Sequence, residues 1–421
     1  MIGDKKMNRK QLEREGKKWV DKELISDAQL ESILHMYKGE DKSYILIILA
    51  ALLISISIIV FVFSDWAQIA NISRIIIMVL MMTVFYLLGF YYQGKNPSKK
   101  WGRKRLAEHS TYSREQIIGN SLLIIGYVTF GATLWLALTM YNVQLMSAWP
   151  FFIWSLAGIL LYMLLPNHYL LGLTLLITIY GQIHSGLNYA TFNYMLFLLL
   201  FFVFFHYVYH RGNTVLHYIF AVGLSLNILV LVMNVFNNFY WFLFFTLFMY
   251  ALSNALPKKL IKRQMLQITT MTILMYKVYE TVSVQESYIM EHLSYQPSFF
   301  ILYSFLFLGV LLLMLIFNRK ELITLILFVP VFFIPYAHVL IIISLFIYSI
   351  YWIIYGFQKD ATNKMVLGIF TFLLSIFTVI VQYAWETINK SLFFLVAGLI
   401  LFGISLLIER RRQDDEGGNQ R

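Results

Sequence analysis

The chain of 421 residues is 59% apolar, 17% aromatic and only 13% charged, with a formal net charge of +11 and no cysteine. A charged share about half that of a soluble domain, gathered into short blocks between apolar runs of about 20 residues, excludes a soluble globular protein and predicts a polytopic helical membrane protein. The missing thiols exclude disulfides, thiolate catalysis and cysteine-ligated zinc or iron–sulfur clusters.

The basic residues carry no zinc-finger spacing and form no base-reading helix, so they are assigned to topology and to contact with membrane lipids, and no nucleic acid is expected. No cofactor is expected either. The first 43 residues lack an apolar core of the signal-peptide type, so the first span is expected to serve as the targeting signal.

Residues 1–43 read as a cytoplasmic helical hairpin. Its first helix falls in "NRKQLEREGKKWV" (8–20) and its second in "SDAQLESILHMY" (26–37), with Leu24 and Ile25 in the turn. Ser26 and Gln29 have capping-box spacing, and Leu30, Ile33, Leu34 and Tyr37 recur on one helical face. So small a hairpin is expected to dock on the bundle, on a second copy or on a partner through residues 8–38.

Fourteen spans follow over residues 44–408, and a charged cytoplasmic tail covers 409–421. The spans are 44–63, 72–92, 117–138, 148–165, 168–186, 191–209, 214–235, 238–256, 265–284, 298–317, 321–336, 338–357, 365–385 and 391–408. Positive residues favour the cytoplasmic side, and this layout satisfies that bias with both termini inside. Of the 33 lysines and arginines, only Lys390 falls outside, while Arg74 and Lys277 fall within spans. Trp66, Trp149, Trp241 and Trp385 are placed at outer span ends. The expectation is all-α: a transmembrane bundle of about 14 spans.

The stretch "WVDKELISDAQLESILHMY" (19–37), then "VFSDWAQIANISRIIIMVL" (62–80) with its Asp65-Trp66 step, resembles a family of bacterial predicted membrane proteins of unknown function. "LALTMYNVQLMSAWPFFIW" (136–154) and "KSLFFLVAGLILFGISLLIERR" (390–411) are similar to the same family. The resemblance covers roughly the first 165 residues and the last 25. It implies a short soluble helical segment before a polytopic region in the bacterial cytoplasmic membrane, and no activity.

Span nine holds the sharpest local feature, "LMYKVYETV" (274–282), where Lys277 and Glu280 lie three residues apart inside an apolar run. Counted from residue 265, they sit roughly 18 Å and 22 Å into a core of about 30 Å. A charge at a helix centre costs about 2.5–3.5 kcal/mol on insertion scales, and i, i+3 pairing offsets part of that. Tyr276 and Tyr279 flank the pair and are placed to donate hydrogen bonds. Two roles stand open. The pair is a coupling site, with Glu280 as a proton- or cation-binding carboxylate and Lys277 as counter-charge, or it is a structural bridge buried against other helices. A deeper span nine would instead bring Glu280 to the outer headgroups.

Three further features are weaker. Asp65 and Arg74 form a charge pair at the first outer turn, with Arg74 expected to cap that turn. His206, His210 and His217 cluster at inner span ends without a nearby acid, and no metal site is assigned to them. Asn120, Asn227 and Asn234 read as interhelical hydrogen-bond partners.

Span eleven, "ELITLILFVPVFFIPYAH", is short and carries Pro330 and Pro335, the pattern of a broken helix with backbone facing a ligand or of an ordinary kink. Together these features favour a transporter- or flippase-like protein handling an amphiphilic, envelope-related molecule. The alternative is a non-catalytic scaffold or regulator that binds a partner through the N-terminal hairpin. An enzyme is the least supported class, because the outer loops lack the grouped charges a polar substrate would need.

Overall fold

Every element of the computed structural model is helical over the residues it describes, which are 16–17, 19–20, 25–26, 29–30, 43–63, 69–94, 114–141, 148–236, 238–285, 297–331, 334 and 336–384. Two compact units divide the chain, the first reaching Val143 and the second beginning at Gln144.

In the first unit, α1 (Ser43–Phe63), α2 (Asn71–Gly94) and α3 (Arg114–Met140) pack with α3 against both others. Their core is Ala51, Ile58, Val62, Met78, Ile125, Ala132 and Leu136. Gln93 Nε2 on α2 donates to Asn120 Oδ1 on α3, the interhelical bond expected of Asn120.

Ahead of α1, the capping box is present as its spacing predicts. Gln29 N–H donates to Ser26 Oγ at 3.2 Å, and Ser26 N–H donates to Gln29 Oε1 at 2.9 Å. Leu30 is buried, and a Cβ placed on Gly16 would lie 2.2 Å from its Cδ1. Any larger residue at position 16 would have to push the Leu30 side chain aside. The rest of both predicted hairpin helices, with Leu24, lies outside the described residues, as does the tail 409–421.

The second unit contains α4 (Trp149–Leu164), α5 (His168–Tyr189), α6 (Tyr194–Arg211), α7 (Thr214–Phe236) and α8 (Tyr240–Ala255). It continues with α9 (Lys259–Gln285), α10 (Pro297–Phe317), the 3₁₀ helix α11 (Arg319–Phe328), α12 (Ala337–Gln358) and α13 (Thr362–Val379), which ends in a π turn. The starts are written locally. Asn167, Asn193 and Asn213 each cap the following helix by accepting backbone N–H bonds, from Tyr169, from Met195 and Leu196, and from Leu216. Buried Thr and Ser hydroxyls are satisfied within their own helices, as when Thr174, Thr269 and Thr281 donate to the carbonyl four residues back.

Among the described residues, eight of the thirteen helices are long and apolar enough to cross a membrane: α2, α3, α5, α6, α7, α10, α12 and α13. Shorter apolar helices are Leu49–Val62 within α1, together with α4 and α8. The predicted last span, 391–408, lies outside the described residues. On α10 the exposed residues Ile301, Phe305, Leu308, Leu312 and Ile316 follow helical spacing, an apolar outer stripe suited to lipid.

Lys259–Gln285 is different. Among the helices of the second unit, α9 packs against α7, α8, α11, α12 and α13 and is not among the eight. A helix surrounded by protein can carry polar groups that a lipid-facing helix cannot.

Trp149 and Trp241 both stand at helix starts, the first half exposed on α4 and the second buried on α8 among Phe236, Phe244 and Phe299. One expectation is corrected. Asn227 and Asn234 donate to Gly223 and Val230, the carbonyls four residues back on α7, and make no hydrogen bond to another helix among the described residues. Each amide finds its partner within its own helix, nearer than a neighbouring helix would offer.

Candidate functional site

The site is built on α9 and on the end of α11. Lys277 Nζ stands 2.7 Å from Glu280 Oε2, and both side chains are almost wholly buried, at 1% and 4% exposure. The i, i+3 spacing that brings them together was readable in the sequence. The second bond of the ammonium was not. Lys277 Nζ also donates to the Val329 carbonyl at 3.3 Å.

That carbonyl is free for a local reason. The 3₁₀ helix ends at Phe328 and Val329 is already extended, so the Val329 carbonyl lies beyond the helical ladder. Tyr303 on α10 satisfies the neighbouring carbonyl, its hydroxyl donating to Phe328 O. Two carbonyls at the end of α11 are thus held by side chains from two other helices. Ten residues is long for a 3₁₀ helix, a conformation that often marks a hinge or a strained sequence. Just beyond it Tyr336 has φ of 60°, a left-handed conformation uncommon for a bulky residue, where α12 begins.

Only part of the pair is satisfied. Glu280 Oε2 receives the ammonium, while Glu280 Oε1 is buried with no hydrogen-bond partner among the described residues. A buried carboxylate oxygen without a donor is costly, so an unmet oxygen in a low-dielectric interior is a candidate acceptor for a proton, a cation or a water.

The flanking tyrosines divide. Tyr276 is buried, stacked on Phe242 at 5.3 Å between centroids, while Tyr279 is 42% exposed and rests against Phe239. Neither hydroxyl bonds to Lys277 or Glu280 among the described residues; the hydroxyl that reaches the break is Tyr303.

A second ion pair marks the other end of α11. Lys364 on α13 meets Glu321, with side chains 33% and 21% exposed, and its ammonium lies 3.9 Å from the centre of the Trp352 ring. Tyr250 O–H makes a long bond of 3.5 Å to the Glu321 carbonyl, and Asn318 Nδ2 donates to Asn254 Oδ1 at 3.3 Å. No short-range pattern announces this pair, whose members are 43 residues apart.

The remaining candidates stand apart. Arg74 Nε donates to the Ile69 carbonyl at 2.7 Å, the bond a turn-capping role requires, while Asp65 lies outside the described residues. Pro330 follows α11 after the single residue Val329, and Pro335 lies outside the described residues. The rings of His206 and His210 lie 4.5 Å apart, His210 Nδ1 is 2.9 Å from His206 O, and His217 Nε2 is 3.2 Å from Val208 O.

Long apolar helices, with a more polar helix packed among five others in the second unit, define a polytopic integral membrane protein. Residues 17–172 match the model of the family described as "Predicted membrane protein (DUF2157)", in agreement with the resemblance of the N-terminal stretches. The match does not include residues 390–411. No curated protein and no solved structure matches the chain. The family description names a membrane location and no chemistry, so the site has to be read from its own geometry.

Proposed function

We propose that this integral membrane protein is a transporter- or flippase-like carrier of an amphiphilic molecule, with Glu280 as its coupling carboxylate. One observation carries the reading. A buried ion pair on the inward face of α9 is tied to the end of a neighbouring helix, and one carboxylate oxygen is left without a donor among the described residues. Buried charge at membrane depth is the usual mark of a proton or ion pathway, and interrupted helices are where carriers place their ligand-facing backbone. The largely apolar surroundings suit an amphiphile better than a sugar, which needs many hydrogen-bond partners.

Neutralising Glu280 would release the Lys277 ammonium from the carboxylate and leave it on Val329 O, so the charge state of one oxygen is linked to the geometry of the break. A local change of charge biasing a two-state element is the general form of such coupling.

The test compares wild type, Glu280→Gln, Lys277→Met and the double variant in proteoliposomes containing a fluorescent phospholipid. Lipid movement is read by chemical bleaching of the outer leaflet, and stability by thermal unfolding in detergent. A Glu280→Gln protein as stable as wild type that no longer moves lipid supports the reading. Unstable single variants, with a double variant that regains both stability and movement, would make the pair a structural bridge and end the proposal.

A further inference from the structure

Both ion pairs found among the described residues of the second unit lie along α11, one at each end. Glu321–Lys364 is at its first turn, and Lys277–Glu280 reaches its last through Val329. At about 2.0 Å rise per residue, Glu321 and Val329 are about 16 Å apart along the axis. That is about half of a 30 Å hydrocarbon core.

Side chains at i and i+3 eclipse in a 3₁₀ helix, so Glu321, Thr324 and Leu327 form one line down α11. Hydroxyls from three other helices accompany this segment. Tyr250 of α8 reaches the Glu321 carbonyl, Tyr250 and Tyr348 of α12 both lie beside Thr324, and Tyr303 of α10 holds Phe328 O. Tyr250, Tyr303, Tyr348 and Thr324 are all buried. Tyr250 and Tyr303 hold carbonyls of α11, but Thr324 Oγ1 is buried with no hydrogen-bond partner among the described residues, a polar group beyond what holding the helix in place requires.

The charged and titratable groups facing each end are few. Glu280 is faced by Lys277 and Tyr276 of its own helix and by Tyr303 of α10. Glu321 is faced by Lys364 of α13, Tyr250 of α8, and Tyr348 and Tyr351 of α12. Glu321 is partly exposed whereas Glu280 is not.

We infer that the hydroxyl-lined flank of α11 is a proton passage, filled by water when it conducts, that connects Glu321 at the exposed end with the unpartnered oxygen of Glu280 at the buried end. The proton comes from water at the face that carries Lys364 and is relayed through the intervening waters. It ends on Glu280 Oε1, turning the carboxylate into a neutral carboxylic acid and leaving the Lys277 ammonium on Val329 O. The assignment of Glu280 rests on the coupling role proposed above, whereas the water route stands or falls separately.

The absence of cysteine makes the route directly measurable in the full chain. Single variants Thr324→Cys, Leu327→Cys and Leu325→Cys are treated with a membrane-impermeant, positively charged methanethiosulfonate in membrane vesicles of both orientations. All three residues are buried, but Leu325 lies a third of a turn from the line. Thr324→Cys and Leu327→Cys should react from the Lys364 face, roughly tenfold faster than Leu325→Cys, since only they border water that opens locally. Equal inertness at all three positions would overturn the passage, and equal reactivity at all three, the sign of general loosening, would overturn it too. Selective reactivity in a protein whose lipid movement survives Glu280→Gln would keep the passage and remove Glu280 as its coupled end point.

Discussion

Lys277 and Val329 are 52 residues apart in the chain, and the lysine ammonium donates to the valine carbonyl across 3.3 Å. The bond makes one polar unit of two features that look unrelated in the sequence, a charge pair on α9 and a proline-terminated helix. Its strength is best probed by removing one partner at a time.

Lys277→Met leaves Glu280 buried without its counter-charge, and a buried pair broken on one side typically costs about 3–5 kcal/mol. Lys277→Met combined with Glu280→Leu should recover most of that, because an apolar replacement of a whole buried pair is often neutral. Thermal unfolding in detergent reads both, and a single variant as stable as wild type would contradict the pairing.

Tyr303→Phe removes the donor to Phe328 O and nothing else of size. The expected loss is about 1–3 kcal/mol for an orphaned buried acceptor. A loss below a few tenths would mean that the carbonyl finds another donor and that α11 is not pinned from α10.

Glu321→Gln should cost under about 1 kcal/mol of stability, because partly exposed pairs are worth little. The contrast with Lys277→Met is the informative quantity. Equal losses at the two ends would show that burial does not distinguish the pairs.

Glycines on α10, α12 and α13 predict opposite signs. A Cβ on Gly356 would lie 2.5 Å from Met365 N, and one on Gly368 would lie 2.6 Å from Ile353 N. Backbone cannot yield as a side chain does, so Gly356→Ala and Gly368→Ala should each cost about 1–3 kcal/mol by forcing α12 and α13 apart. Gly309 has nothing within 4 Å, and Gly309→Ala should be neutral or stabilising by up to about 1 kcal/mol. Destabilisation at all three alike would argue for a general intolerance of the helices.

Removal of residues 1–38 separates the carrier from the scaffold. A carrier should keep part of its lipid movement, while a scaffold should lose its whole cellular effect. Within the hairpin, Ser26→Ala should cost about 1 kcal/mol of local stability, read as faster proteolytic nicking.

Much of this architecture was legible because its signals are local. Apolar runs bounded by basic blocks located the helices, the Ser26–Gln29 spacing located a cap, and i, i+3 spacing paired Lys277 with Glu280. What the sequence hid depends on contacts between distant segments. Nothing near Val329 indicates that its carbonyl will meet a lysine on α9, and nothing near Glu321 points to Lys364. The pleat of residues 319–328 into a 3₁₀ helix was equally hidden, because "RKELITLILF" reads as an ordinary apolar helix. The packing of Trp241 was hidden for a related reason. An aromatic at a span end suits the headgroup region, yet this one packs against Phe299, from a helix more than fifty residues further along.

The polarity of α9 also bears on how the protein is made. A segment carrying Lys277 and Glu280 gains little by moving into lipid alone, and its neighbours α11, α12 and α13 are synthesised after it. Of its partners, only α7 and α8 are already present when α9 emerges from the ribosome. Membrane insertion of α9 is therefore expected to be a joint event with those two. Nascent chains ending near Gln285 should place α9 across the bilayer when α7 and α8 precede it and fail to when those helices are replaced by unrelated apolar ones, as glycosylation-site mapping would register.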